Sequence, residues 1–103
     1  MVDTTRLTRA VDHFADRLRA APQSRLQRSG AAEALALARE LARRAQVLEA
    51  PGAEPRVMPD AGMFAAADQI TVAAHDLAVV LTSEGEVEDA VRLVEEAQKR
   101  AGV

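Results

Sequence analysis

The stretch MFAAADQITVAAHDLAVVLTSEGEV, Met63–Val87, decides the fold. Within it Met63, Ala67, Ile70, Ala74, Leu77 and Leu81 recur at spacings of 4, 3, 4, 3 and 4, which places them along one face of an α-helix. Ala66, Ala73 and Val80 widen that face, so this helix has to touch more than one neighbour. The stretch closes on Ser83-Glu84-Gly85-Glu86. Here the serine hydroxyl is placed to accept from the Glu86 amide while the Glu86 carboxylate reaches back to the Ser83 amide, a capping box that opens a new helix. With almost no chain between them, helices over 60–82 and 84–101 are expected to pack as an antiparallel hairpin.

The last helix carries its apolar stripe on Val87, Ala90, Val91, Val94, Ala97 and Ala101, with Lys99 and Arg100 suited to its negative end and Gly102 as a stop. Upstream, Leu7, Val11, Phe14, Leu18 and Ala21 form an equally regular stripe, which predicts a helix over 3–20 capped by Asp3 or Thr4 and ended by Pro22. A second helix is expected over 23–49, although Gly30 is an alternative start. Its stripe reads Leu35, Ala38, Leu41, Ala42, Ala45 and Leu48. Pro51, Gly52, Pro55 and Pro59 mark residues 50–59 as the one clear loop. Helix three is expected to start after Asp60 acting as its cap. No segment alternates with the period of a strand.

The expected fold class is therefore all-α, an antiparallel four-helix bundle of two helical hairpins joined by the Pro/Gly loop, in a single domain spanning 1–103. Leu7, Phe14, Leu18, Leu35, Leu41, Leu48, Ile70, Leu77 and Leu81 are expected to carry most of the burial. Alanine, roughly a fifth of the chain, favours helix but buries little area per residue.

Composition excludes several function classes. The 103 residues include no Cys, Trp or Tyr. Disulfides, thiolate nucleophiles and cysteine-based zinc sites are thereby impossible, and the aromatics that usually stack on bases are missing. Charge is uneven: residues 1–56 hold ten Arg and seven acids, net +3, whereas residues 57–103 hold three basic and nine acidic residues, net −6. Opposite-signed halves attract, within one bundle or between two copies. Met1–Ala21 has no unbroken apolar run, and Asp68, His75 and Asp76 interrupt Ala61–Ser83. A signal peptide and a membrane span are not expected, and the expected location is cytoplasmic.

Few residues could carry chemistry. Asp68, Thr71 and His75 share one polar line of helix three and could form a proton-transfer pair or part of a metal site, but only His13 could join them, and a metal needs at least three converging ligands. His13 lies among Arg6, Arg9 and Arg17 and reads as a solvated histidine. Glu84, Glu86, Glu88 and Asp89 could draw a cation or a basic partner, though a helix N-terminus favours acids in any case. No nucleophile elbow and no phosphate-cradling glycine loop is present. The arginines are interleaved with acids, and an acidic last helix is wrong for a nucleic-acid groove, so no nucleic acid is expected as a partner.

The last hairpin resembles a tetratricopeptide repeat, with Ala74, Leu77, Ala78, Leu81, Gly85, Ala90, Val94 and Ala97 at its small or apolar positions. The resemblance covers Thr71–Val103, lacks that repeat's aromatics at Ala74, Leu81 and Val94, and has no second copy; it implies a peptide-binding adaptor. Length and helicity are also similar to the small secreted hairpins of type VII secretion, whose Trp-x-Gly turn has no counterpart here.

The expected function is a small non-catalytic interaction or regulatory protein without a cofactor or bound metal, partnered by a second copy or another protein. Its partner surface is expected on Phe64, Val72, Val79 and Val80. The alternatives are a bundle that binds a small molecule or metal through Asp68 and His75, and the repeat-like adaptor.

Overall fold

A computed structural model describes residues 1–103. Four helices make up the protein, with no strands. Helix α1 is Thr5–Ala20. Helix α2 covers residues 23–49 and is built from an α-helical turn Gln23–Arg25, a π-helical turn Leu26–Gly30 and the α-helix Ala31–Glu49. Helix α3 is Ala66–Val80, entered through a 3-10 turn at Met63–Ala65. Helix α4 is Glu84–Ala101.

The ends follow local chemistry. Asp3 accepts from the Thr5 amide at 2.9 Å, so it and not the Thr4 hydroxyl covers the start of α1. Pro22 is extended, and its carbonyl accepts the first amides of α2. The capping box of Ser83 and Glu86 is present, and α4 ends on Gly102 at φ 74°. Asp60 does not cap α3; its carboxylate accepts from the Gly62 amide at 2.8 Å in a local turn, and the helix begins later than the expected residue 60.

Gly30 lies inside α2 with helical dihedrals. A Cβ there would crowd the Leu26 side chain of the same helix at 3.3 Å, while Leu18 of α1, at 3.6 Å, would be an ordinary contact. The π turn, closed by the Ala31 amide on the Leu26 carbonyl, keeps Leu26, Gly30 and Ala34 facing inward although their spacing of four would drift around an ideal helix.

The interior is wholly apolar: 24 hydrophobic residues are buried, and no polar or charged residue joins them. The stripes read from sequence for α3 and α4 are buried, apart from half-buried Met63, and so are Leu7, Val11, Phe14 and Leu18 of α1. The stripe of α2 is rotated. Ala34, Leu37, Ala38, Leu41 and Ala45 are buried, whereas Leu35 and Ala42 are half-buried and Leu48 is 41% exposed. Leu35-to-Leu48 advances too few residues per turn to stay on one face; Ala34-to-Ala45 keeps the helical period. Leu37 thus takes the burial expected of Leu35 and Leu48.

Connectivity also departs from two stacked hairpins. The extensive packing joins α1 to α3, α1 to α4, α2 to α3 and α2 to α4. Sequential partners α1 and α2, and likewise α3 and α4, sit diagonally across the bundle. Arg19 near the end of α1 reaches Asp68 near the start of α3 at 2.8 Å, so these two run antiparallel. Arg6 lies 3.9 Å from Glu88, and Ala10 and His13 adjoin Glu95 and Lys99, so α1 and α4 are parallel. Ala31 and Leu35 adjoin Met63 and Ala66 while Ala45 and Gln46 adjoin Asp76, which makes α2 and α3 parallel as well. Ser29 donates to the Ala101 carbonyl at 2.9 Å and Leu48 adjoins Asp89, so α2 and α4 are antiparallel. The expectation of antiparallel neighbours throughout is corrected: two of the four packed pairs are parallel.

A parallel α2–α3 pair requires the chain to return along the bundle, and residues 50–62 do this as a strap. Side chains hold it in place. Gln46 donates to the Arg56 carbonyl at 2.9 Å and accepts from the Arg56 amide at 2.8 Å. Arg39 donates to the Met58 carbonyl and Gln69 to the Pro59 carbonyl. The contacts of Gln46 and then Arg39 descend α2 as the strap advances, and Gln69 of α3 meets it next, which is the path a crossover takes.

Candidate interaction surface

Helix α3 turns Ala66, Ala67, Ile70, Ala73, Ala74 and Leu77 inward against α1 and α2. Its remaining face looks outward and sets exposed valines among exposed Asp68, His75 and Asp76. Phe64 is 74% exposed, Val72 56% and Val79 84%. Helical spacing puts these three on one side together with exposed Asp68 and His75. Of the four residues nominated from sequence, Val80 differs: it is half-buried and packs on the core. Phe64 borders a cavity of 210 Å³ walled by Leu18, Ala21, Leu26, Met63 and Ala67. Met63–Val80 has a mean hydropathy of 1.2, and by length and composition alone it is apolar enough to span a membrane, yet a third of it is buried in the bundle.

The polar candidates are placed apart. Asp68 is held by Arg19, which also lies 3.7 Å from Asp16. The Thr71 hydroxyl donates to the Ala67 carbonyl at 2.9 Å. Asp68 and His75 are seven residues apart, about 10 Å along a helix axis, too far to share a proton or an ion. No three His, Asp or Glu side chains converge. His13 is exposed on α1.

The acidic start of α4 is divided among local tasks. Glu86 accepts from the amide and hydroxyl of Thr82 and from the Ser83 amide, and these bonds hold its carboxyl below the usual range. Glu88 faces Arg6, and Asp89 faces Arg92. Several arginines are similarly occupied. Arg25 donates to the Gly102 carbonyl at 2.6 Å and so closes the end of α4, while Arg100 donates to Glu33 at 2.9 Å. Arg6–Glu88 and Arg19–Asp68 each join the basic half of the chain to the acidic half.

One feature escaped the sequence reading. Val47 and Leu48 stand at the lip of a 260 Å³ groove between α2 and α4, with Leu77, Leu81 and Ala90 also lining it. Arg43 and Arg44 line one side and Glu86 and Asp89 the other. Both arginines are drawn back onto Glu40, at 2.7 and 2.8 Å, and the hydrogen bonds from Arg43 and then Arg44 pull the Glu40 carboxyl down to about 2. The available signal was the position of Val47 and Leu48 beyond Ala45, where the regular stripe of α2 is already complete.

The two helices that resemble a tetratricopeptide repeat do not pack side by side, as the pair in that repeat does, because α3 and α4 are diagonal. The chain matches no known family model, no curated protein and no solved structure.

Proposed function

We propose that this chain is a small non-catalytic interaction protein of the cytoplasm that works by associating with another protein chain, in the first instance a second copy of itself, through the outer face of α3. The observation that carries this reading is the exposure of Val72 and Val79 on one side of α3 and of Phe64 in the turn that enters it. Isolated exposed apolar residues are ordinary, but a row of them along one element is the pattern of a docking face. A wholly apolar interior, with no polar or charged residue buried in it, supports binding more than chemistry. Sedimentation across a concentration series tests the idea. Self-association that Val79→Asp weakens at least tenfold, with an unchanged melting temperature, is the expected result. A protein that stays monomeric at ~1 mM, well above the micromolar range of ordinary association, refutes it.

A second reading, binding of a small apolar molecule, is favoured by the groove at Val47 and Leu48. Titration with anilinonaphthalene sulfonate tests it: saturable fluorescence that Leu48→Glu removes supports the reading, and no saturable response ends it.

A further inference from the structure

Resting on the proposed self-association, the structure assigns it a geometry: we infer that two copies pair their α3 helices antiparallel about a two-fold axis that passes between Thr71 and Val72. The argument is self-complementarity. A two-fold interface joins a patch to itself, so residues equally far from the axis on its two sides must suit each other. In residue count, Phe64 in the turn that enters α3 and Val79 near its end are equidistant from the point between Thr71 and Val72, and so are Asp68 and His75 on the helix itself. Antiparallel pairing therefore sets each Phe64 against the partner's Val79 and each Asp68 carboxylate against the partner's His75 imidazole, with the two copies of Val72 meeting at the centre. Every apolar residue of the face meets an apolar one, and the acid meets a hydrogen-bond donor, twice over.

A parallel pairing gives the opposite result. Each residue would then face its own copy, which sets Asp68 against Asp68, with like charges destabilising the contact, and leaves no acceptor opposite His75. Within the chain Arg19 engages one oxygen of Asp68 at 2.8 Å, leaving the other free of partners. The small residues of α3 are spent on the bundle interior, so the outer contact is made by Phe and Val side chains at an ordinary interhelical distance of ~8–10 Å. A single helix pair about 22 Å long is a small interface, and the association it supports is of weak, micromolar type.

The absence of cysteine makes the test clean. Single variants Val72→Cys and Val79→Cys, both at exposed positions, are treated with a mild oxidant or a short bismaleimide beside wild type in sedimentation. The expected result is efficient covalent dimer from Val72→Cys and little from Val79→Cys, whose two copies would lie about 22 Å apart along the axis. His75→Glu is expected to weaken wild-type association at least tenfold, since it opposes two acid pairs, while leaving the circular dichroism spectrum unchanged. Equal cross-linking of both cysteine variants means parallel helices and overturns the geometry. Self-association of wild type with no cross-link from Val72→Cys places the interface elsewhere, overturning the geometry while leaving the proposed function standing. A wild type that never associates removes both.

Discussion

The strap over residues 50–62 is tied to α2 by Gln46 and Arg39, and replacing Gln46 by alanine isolates what the first of these ties contributes. Gln46 donates to the Arg56 carbonyl at 2.9 Å and to the Ala42 carbonyl at 3.2 Å, and accepts from the Arg56 amide at 2.8 Å. The alanine variant loses both bonds to Arg56 and returns those backbone groups to water. Two neutral hydrogen bonds at ~1 kcal/mol each come to ~2 kcal/mol. At ~1.4 kcal/mol per decade this is roughly a thirtyfold rise in the local opening of the strap. The cost is expected to be local, since the helices still bury the same core. Amide hydrogen exchange read by NMR checks it: the Arg56 amide should exchange roughly thirtyfold faster while amides in the middle of α1 and α4 hold their rates. Gln46→Glu sharpens the test, because a carboxylate still accepts from the Arg56 amide but offers no donor to the carbonyl, so an intermediate rate is expected. Unchanged exchange at Arg56 in the alanine variant would refute the tie and, with it, the path of the crossover.

Leu37→Ala should cost about 2–5 kcal/mol in urea unfolding, whereas Leu48→Ala, at an exposed position, should cost under ~1 kcal/mol; the reverse order would mean the inward face of α2 is misassigned. Glu40 has its carboxyl lowered from 4.5 to about 2. A lowered carboxyl stabilises above its ordinary value and loses that contribution as pH falls toward its folded value. Wild type should therefore lose ~1 kcal/mol more than Glu40→Gln between pH 5 and pH 2 in acid titrations, a figure kept small because solvent screens so exposed a pair. Gly85→Ala places a methyl group in open space within α4 and should raise stability by ~0.4–1 kcal/mol, while Gly102→Ala, at φ 74° and 2.8 Å from the Arg25 guanidinium, should lower it by ~1 kcal/mol; thermal melts of the pair should move in opposite directions.

The helices themselves were legible in the sequence. In α1, α3 and α4 the larger apolar residues alternate by threes and fours, so the buried face could be named residue by residue. In α2 the run Glu33-Ala34-Leu35-Ala36-Leu37-Ala38 offers two overlapping apolar arcs, and only the one through Ala34, Leu37, Leu41 and Ala45 keeps the helical period and is buried. Topology was not legible. A short connection such as residues 81–83 restricts direction but not side-by-side packing, and α3 and α4 diverge after it. What routes the chain is the bonding of Gln46, Arg39 and Gln69 to strap backbone, and such bonds leave no periodic trace. Phe64, Val72 and Val79 stood out because they fall off the stripe of α3, whereas the apolar arc of that helix hid that Val80 is taken up by the core.

Each of the four main helix contacts links a helix before the strap to one after it. A nascent chain halted at residue 56 would therefore hold two amphipathic helices with nothing to bury against, and a fragment beginning at residue 57 would be equally stranded. Synthesis offers no stable halfway stage. Separately made pieces, one net positive and one net negative, should instead remain unstructured until mixed and then assemble together, which makes this protein a natural candidate for split-reporter complementation.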